Sequence, residues 1–279
     1  MKKIILPTDF SDNAKNACDY AMSLFKDEAC TFYLVNTFTP VIYNYDYQMN
    51  TGSYMGQVID TIRDNSKENL NSLKEELELK FKNKKHQFEI VSSFSLLTDE
   101  VNDLAKKENA DLIVMGTIGA SGLKEVLFGS NTIHVIKKAT CPVLAIPNGF
   151  MFETPKEILF PTDYKVNYED KHLYILKDIA TGFNSIVNIM HVFSGRELND
   201  EEDTNRKKLN KLLADTKKVT HNVEDQPIPQ AIHNFQQETY IHLLMMIKNK
   251  HTFLENIFFK QVIHEIGFHL TVPFLVVPA

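Results

Sequence analysis

The sequence predicts an α/β protein built from two tandem, doubly wound domains, each with a five-stranded parallel sheet. Two observations lead to this fold class: an internal repeat, and short apolar runs that alternate with longer amphipathic ones. The chain has 279 residues, against a typical domain size of roughly 150. We therefore expect each half to bury a hydrophobic core of its own.

The repeat is visible at both ends of each half. Residues 4–10 read IILPTDF, and residues 158–164 read ILFPTDY, an apolar strand followed by Pro-Thr-Asp-aromatic. Residues 141–147 read CPVLAIP, and residues 272–278 read VPFLVVP. Each half is thus a complete unit, and we predict domains at 1–148 and 155–279. The linker from Asn148 to Pro155 contains Asn-Gly and Thr-Pro, which interrupt regular structure.

In the first half, apolar runs rich in Val, Ile, Leu and Phe are typical of strands buried on both faces of a parallel sheet. We predict strands at about 3–8, 30–36, 87–92, 111–115 and 142–146. Helices are predicted at 14–26, with caps offered by residues 11–13, at 57–82, after Thr98-Asp99-Glu100, and at 130–138. Five strands alternating with four helices give a doubly wound sheet.

The second half repeats this alternation with strands predicted near 157–162, 186–192, 219–224, 241–247 and 273–277. The acidic quartet at 200–203 predicts an exposed helix start, because carboxylates favour the N-terminal end of the helix dipole. The apolar stretch at 241–247 is interpreted as a buried strand rather than a cofactor pocket. The histidines of this half show no metal-ligand spacing, so we expect no metal site there.

Bulk composition excludes several classes of protein. Hydrophobic residues at 43% and charged residues at 24% are ordinary for a globular protein. No apolar run approaches the roughly 20 residues of a membrane span, and the N-terminus lacks a signal-peptide pattern, so we expect a cytoplasmic protein without membrane insertion. The net charge of −6 disfavours binding to nucleic acid. The three scattered cysteines are expected to be small buried side chains, forming neither disulfides nor a zinc site.

The segment from 116 to 132 carries the strongest chemical signal. Gly116, Gly119, Gly122 and Gly129 follow a predicted parallel strand and precede a helix that begins at Ser130. Glycine lets backbone amides approach an anion without a Cβ clash, and the helix N-terminus adds unpaired N–H groups. A triphosphate fits such a cradle, with hydroxyl donors from Ser130 and Thr132. The alternative is that these glycines only turn the chain between strand and helix.

The spacing favours the first of these two interpretations. Gly116, Gly119, Gly129 and Ser130 satisfy G-x2-G-x9-G-[S/T], and the segment thereby resembles nucleotide-binding members of the universal stress protein family. The resemblance extends to the opening strand with Asp9 and to the closing Cys-Pro-Val strand, so it covers essentially the first half. It implies an adenine nucleotide alpha hydrolase-like, Rossmann-type sheet that binds ATP, or AMP or ADP. Neither a Walker A loop nor the G-x-G-x-x-G of dinucleotide enzymes is present.

The resemblance also implies a set of binding residues. Pro7, Thr8 and Asp9 would lie beside the adenosine; Thr37 would offer backbone contacts to adenine; Met115, Gly116, Ile118, Gly119, Gly129, Ser130, Asn131 and Thr132 would surround the ribose and phosphates. Asn36-Thr37 replaces the commoner His-Val pair of the family. For Asp9, the alternative role is to cap the helix start at 11–13. Mg²⁺ or Mn²⁺ could be carried by the phosphates, but the sequence shows no dedicated metal cage.

The second half lacks every glycine of this motif. Aligning Pro273 with Pro142 places Ile247, Lys250, Lys260 and Gln261 opposite Gly116, Gly119, Gly129 and Ser130, respectively. Side chains then stand where phosphate oxygens would need bare backbone amides, so we expect a degenerate domain that binds no second nucleotide. The apolar residues at 253–259 are interpreted as a lid over the vacated site or a partner surface.

The leading functional hypothesis is a regulatory protein that responds to ATP or AMP by binding one nucleotide per chain and is read by an unknown protein partner. No positioned nucleophile or base is evident, which leaves at most slow ATP hydrolysis or autophosphorylation on Ser121 or Ser130. The alternative is an interaction or scaffold module with a vestigial loop. We also expect strands 142–146 and 273–277 to lie adjacent in an internal pseudo-dimer, and a further homodimer is compatible with the sequence.

Overall fold

A computed structural model describes residues 1–39, 51–117, 129–193, 196–224, 226–248 and 271–279. The chain divides into two compact units, unit 1 at Met1–Gly149 and unit 2 at Phe150–Ala279. The division falls inside the segment 148–155. Each unit is a doubly wound α/β domain, which confirms the predicted fold class. The adjacency of strands 142–146 and 273–277 stays a prediction.

In its described residues, unit 1 alternates five strands with four helices. They are β1 (Lys2–Pro7), α1 (Asp12–Leu24), β2 (Cys30–Thr37), α2 (Thr51–Phe81), β3 (His86–Ser93), α3 (Leu97–Glu108), β4 (Leu112–Gly116), α4 (Ser130–Lys138) and β5 (Val143–Ile146). The strands are parallel and lie in the order β3-β2-β1-β4-β5. The order reverses between β1 and β4, so the carboxyl ends of these two strands flank the crevice in which such sheets bind ligands.

Three helices of unit 1 begin earlier than the sequence predicts, α1 by two residues. Helix α2 begins at Thr51 rather than at 57, because an established helix propagates through Gly52 and Gly56 despite their low helix propensity. Helix α3 begins at Leu97 rather than after residue 100. The carboxylates that were predicted to precede α3 therefore lie in its first turn, where they suit the helix dipole.

The core of unit 1 lies around its central strands. Ile4, Ile5 and Leu6 of β1 are fully buried, as expected for a strand covered on both faces. All three cysteines are buried and free, which confirms their interpretation as small apolar side chains. Burial raises the pKa of the Cys18 thiol to about 12, so this thiol stays protonated and unreactive at neutral pH.

Unit 2 repeats the arrangement. Its elements are β6 (Glu157–Pro161), α5 (Asp170–Phe183), β7 (Ile186–Phe193), α6 (Asp200–Leu212), β8 (Lys217–Glu224), α7 (Ile228–Glu238), β9 (Leu243–Lys248) and β10 (Phe274–Pro278). The strand order is β10-β9-β6-β7-β8, the same topology as unit 1. The connection after the first strand differs between the described parts of the two units: α1 begins three residues after Asp9, whereas α5 begins seven residues after the equivalent Asp163.

The acidic quartet does begin a helix, α6, but the prediction that it is exposed is wrong for Glu202. The Glu202 side chain is only 4% exposed, and the Arg196 guanidinium holds both of its oxygens at 2.6 and 2.7 Å. Asn199, the N-cap, exchanges hydrogen bonds with Glu202 in a capping box. The hydrogen bonds from Arg196 and from the Asn199 backbone N–H lower the pKa of Glu202 to about 2. Glu202 is buried because it is fully paired.

Among the residues that the structure describes, no helix is long and apolar enough to cross a membrane. In the same residues, no group of three or more His, Cys, Asp and Glu side chains is arranged to hold a metal ion. Two described histidines of unit 2 make ordinary hydrogen bonds. His221 meets the side-chain oxygen of Asn188 at 2.9 Å, and His242 accepts from the Glu157 backbone N–H at 3.2 Å.

Candidate functional site

A cavity of about 150 Å³ lies in unit 1 at the carboxyl ends of β1 and β4, where the strand order reverses. Every described member of the predicted binding set lines it: Pro7, Thr8, Asp9, Thr37, Met115, Gly116, Gly129, Ser130, Asn131 and Thr132. Two further predicted residues, Ile118 and Gly119, lie outside the described residues, as does Ser121. Cavities of this measure accept a single aromatic ring in other proteins.

The turn after β1 forms one wall of the cavity. The Asp9 carboxylate accepts hydrogen bonds from the Ser11 backbone N–H at 3.1 Å and from the Ser11 hydroxyl at 2.6 Å. Ser11 is the N-cap of α1 and accepts from the Ala14 N–H. Thr8 accepts from the N–H of Phe10, whose φ of 64° is the left-handed backbone that closes this turn. Asp9 therefore supports the helix cap and also lines the cavity.

A series of hydrogen-bonded, partly buried polar groups supports the same wall. The Ser92 hydroxyl on β3 donates to the Ser66 hydroxyl on α2, which donates to the Asn36 side-chain oxygen on β2, each at 2.8 Å. The Asn36 amide then donates to the Thr8 carbonyl at 2.8 Å. Because each of these hydrogen bonds has a defined donor, the series fixes the orientation of the Asn36 side chain at the cavity.

Gly116 is required by packing as well as by its place in the motif. A Cβ atom there would lie 2.3 Å from the side-chain nitrogen of Asn13 and 3.0 Å from its backbone oxygen. Asn13, in the first turn of α1, is buried against the end of β4. The glycine thus lets α1 approach β4 closely, which positions Ala14 in the cavity lining.

The opposite wall is the N-terminus of α4. Gly129 is the N-cap, and it has no side chain with which to cap this helix end. The first intrahelical bond is donated by Ile133 to the Gly129 carbonyl at 3.1 Å, so the amides of Ser130, Asn131 and Thr132 belong to the helix N-terminus. The lining formed by described residues contains one carboxylate, Asp9, and no lysine or arginine. An anion here would be held by backbone amides, the helix dipole and the Ser130 hydroxyl.

The structure corrects the expected role of Thr132. Its hydroxyl donates to the Gly116 carbonyl at 2.8 Å, and the residue is 2% exposed. A hydroxyl has one proton, which is committed here to the end of β4. Thr132 therefore ties α4 to β4, and its side chain is not a phosphate donor in this conformation.

Three lining residues were absent from the predicted set: Ala14, Asn36 and Leu97. Ala14 and Leu97 lie in the first turns of α1 and α3, which come after β1 and β3, so the rule that sites form at carboxyl strand ends could have included them. Asn36 departs from the family pattern, and that departure marked its position without revealing its contacts.

The corresponding place in unit 2 is nearly filled. The turn is reproduced: Tyr164 has a φ of 57°, its N–H donates to Thr162 at 3.1 Å, and Asp163 accepts from the Lys165 N–H at 3.1 Å. The pocket beside this turn measures only about 40 Å³ and is lined largely by apolar side chains, including Tyr168 and Ile247. This pocket is smaller than an aromatic ring needs, although the turn is intact.

The strand registers support the sequence alignment of the two units. Gly116 of β4 pairs with Ile146 of β5, and Ile247 of β9 pairs with Val277 of β10, at the same step of the sheet. The isoleucine side chain therefore lines the pocket of unit 2 at the position of the unit 1 glycine.

Unit 2 also keeps the His-Val pair that unit 1 lacks, a feature that the sequence-based predictions did not include. His191 and Val192 occupy the register positions of Asn36 and Thr37. The His191 Nδ1 lies 3.0 Å from the Thr162 carbonyl, the contact that Asn36 makes with Thr8. Comparing β2 with β7 residue by residue could have found the pair.

Fold and cavity together define a doubly wound α/β protein with a pocket in unit 1 at the topological switch point, the place where the strand order reverses. The universal stress protein family model matches residues 1–147, and the chain belongs to this family. Universal stress protein MJ0531 of Methanocaldococcus jannaschii is 30% identical over 149 residues, which cover 52% of this chain and 81% of the relative. YxiE of Bacillus subtilis is 29% identical over 150 residues, which cover 52% of this chain and 97% of the relative.

Solved structures extend the likeness in fold to both units. A universal stress protein from Archaeoglobus fulgidus superposes with a TM-score of 0.67 at 17% identity, covering 99% of this chain and 96% of that one. A universal stress protein described for Pseudomonas aeruginosa gives 0.56 at 12% identity, covering 100% and 93%. At these identities the likeness shows the fold alone.

Proposed function

We propose that the chain binds one adenine nucleotide, ATP or its diphosphate or monophosphate, in the unit 1 cavity and acts by binding rather than by turnover. The observation that carries this proposal is that all described residues of the predicted set, from four separate elements and their loops, line one cavity at the switch point. A nucleotide-dependent change at this surface would then be read by a protein partner.

The geometry supports a division of the site into two ends. The β1–β2 side offers Thr37, Asn36 and the Thr8 turn to the base and ribose. The α4 side offers helix-terminal amides and the Ser130 hydroxyl to the phosphates. Mg²⁺ or Mn²⁺ would be held by phosphate oxygens and water, since the described lining supplies only the Asp9 carboxylate.

The direct test is calorimetric titration of protein that has been unfolded, freed of ligand and refolded, using ATP, ADP and AMP with and without Mg²⁺. We expect saturable binding of one nucleotide per chain. Absence of heat and of thermal stabilisation at millimolar nucleotide would overturn the proposal and favour a scaffold module with a vestigial loop.

A matched pair of variants distinguishes site binding from nonspecific effects. Gly129→Arg places a long side chain at the α4 N-cap in the cavity lining and should reduce affinity by at least about 100-fold, because it blocks the helix N-terminus. Gly182→Arg in α5 is the control, since a Cβ there meets nothing within 4 Å. This control adds the same charge and should bind like the parent protein. Equal affinity in both variants would contradict the assigned site.

A further inference from the structure

Tyr168 stands where unit 1 leaves room for a ligand. It lies five residues after Asp163, as Ala14 lies five residues after Asp9, and each residue lines the pocket of its own unit. Ala14 lies in the first turn of α1, whereas Tyr168 precedes α5, which begins at Asp170. The later helix start in unit 2 thus lets a tyrosine from the connecting segment enter the switch-point pocket.

The Tyr168 side chain is held as a bound ring would be. The residue is 1% exposed, and its hydroxyl is hydrogen-bonded to the Thr162 hydroxyl of the repeated turn. Its ring meets Phe160 edge to face, with centroids 6.4 Å apart at 83°. Burial raises the pKa of the Tyr168 hydroxyl above its usual range, so the ring is neutral at physiological pH.

The neighbouring residues show a coordinated exchange between the units. Asn13 is buried beneath Gly116 in unit 1, whereas its counterpart Asn167 is exposed and accepts from Lys208 at 2.7 Å. Ile247 and Tyr168 both line the unit 2 pocket. The pocket that remains beside them, about 40 Å³, is smaller than an aromatic ring needs.

We propose that the unit 2 pocket is a binding site for a small phenolic ring, and that the Tyr168 side chain of the same chain occupies this site. The turn, with Thr162 as hydrogen-bond partner, provides the polar end. The apolar walls, including Met190 and Met246, enclose the ring with flexible side chains. In this proposal, Tyr168 excludes a nucleotide from the unit 2 pocket in addition to the absence of the glycine motif.

The test removes the ring and returns it as a free molecule. Tyr168→Ala, which installs the unit 1 residue, should lower the thermal midpoint, and p-cresol should restore it in a saturable manner without stabilising the parent protein. Toluene should bind roughly three- to tenfold more weakly than p-cresol, because it cannot bond to Thr162. In Tyr168→Ala/Thr162→Val the preference for p-cresol should disappear.

Tyr20→Ala is the matched control, because Tyr20 is a buried tyrosine of α1 in the unit 1 core. The larger probe 2-naphthol should bind Tyr168→Ala, whose new space joins the existing pocket, but not Tyr20→Ala. Equal responses of the two variants to all three probes would show generic cavity filling and overturn the proposal. So would failure of p-cresol to bind folded Tyr168→Ala.

If Tyr168→Ala does not fold with or without p-cresol, Tyr168→Val keeps the first apolar atoms of the side chain and is titrated in the same way. The reciprocal change, Ala14→Tyr, should abolish ATP binding by unit 1 while leaving it folded, and undiminished binding would contradict the equivalence of the two positions. This last arm rests on the proposed function. The phenol titrations do not, so a parent protein that fails to bind ATP would leave their outcome interpretable.

Discussion

The two units share a turn after their first strand and differ in the residues that surround it. Both place Pro-Thr-Asp at the carboxyl end of that strand, followed by an aromatic residue, Phe10 or Tyr164, whose backbone is in the left-handed region. In both units a side chain of the second strand contacts the carbonyl of the turn threonine. Yet the pocket at the carboxyl ends of the central strands measures about 150 Å³ in unit 1 and about 40 Å³ in unit 2. A shared backbone motif thus does not by itself preserve a binding site.

The difference arises from a group of residues that change together. In unit 1 a glycine at the end of β4 admits Asn13, which draws α1 inward and leaves Ala14 facing the cavity. In unit 2 Ile247 occupies the glycine position and Tyr168 fills the pocket. The side chain that fills this region comes from the start of α1 in unit 1, whereas in unit 2 side chains of the β9 end and of the segment before α5 line the pocket. The two interiors are therefore packed by different residues.

The largest expected effect comes from placing the unit 2 residue in unit 1. Gly116→Ile should destabilise unit 1 by roughly 2–4 kcal/mol, because its Cβ would overlap the Asn13 side chain and approach its backbone. Urea denaturation combined with hydrogen exchange of unit 1 peptides measures the loss. Adding Asn13→Ala should recover part of it, and a loss below about 0.5 kcal/mol would show that α1 moves away without cost.

A smaller effect should separate the two second strands. Asn36→Asp removes the amide that donates to the Thr8 carbonyl and places a carboxylate beside that oxygen, at an expected cost of about 1–3 kcal/mol at neutral pH. Asn36→His should cost less, because His191 makes the same contact in unit 2. Equal losses in the two variants, measured by thermal unfolding, would argue that the contact differs between the units.

The smallest effect concerns acid sensitivity in unit 2. Arg196 and the Asn199 N–H lower the pKa of Glu202 from its ordinary 4.5 to about 2, so their contribution to stability is complete above pH 4.5 and is lost as the pH falls toward 2. Arg196→Met should lower the free energy of unfolding at pH 7, because it removes the cation paired with Glu202. The difference from the parent protein, measured by denaturation across this range, should shrink on acidification. A pH-independent difference would attribute the effect to lost packing.

The sequence was sufficient for the architecture. All ten strands were predicted within about two residues of their observed ends, because strands buried on both faces appear as continuous apolar runs. The repeat placed the same topology in each half. The predicted binding residues that the structure describes meet at one cavity, because parallel strands bring their carboxyl ends to a single edge of the sheet.

Helix starts and side-chain roles were less accessible. The early starts of α2 and α3 depend on helix propagation and packing, which outweigh local propensity. The Thr132 hydroxyl was expected at a phosphate and instead bonds to Gly116. The exposed helix start expected at 200–203 contains a buried, paired Glu202.

By itself, then, the sequence determined the two-unit α/β fold, the glycine spacing and the contrast between the halves, since these depend on periodicity and on which positions lack a side chain. Only the tertiary structure decided that Asn13 packs against Gly116, that the Ser66 hydroxyl donates a hydrogen bond to Asn36, and that the Tyr168 hydroxyl bonds to Thr162 in the unit 2 pocket. The first two contacts join residues from different elements, and the Tyr168 ring packs in a pocket lined by residues of several strands. The burial of these side chains is set only when those elements pack together.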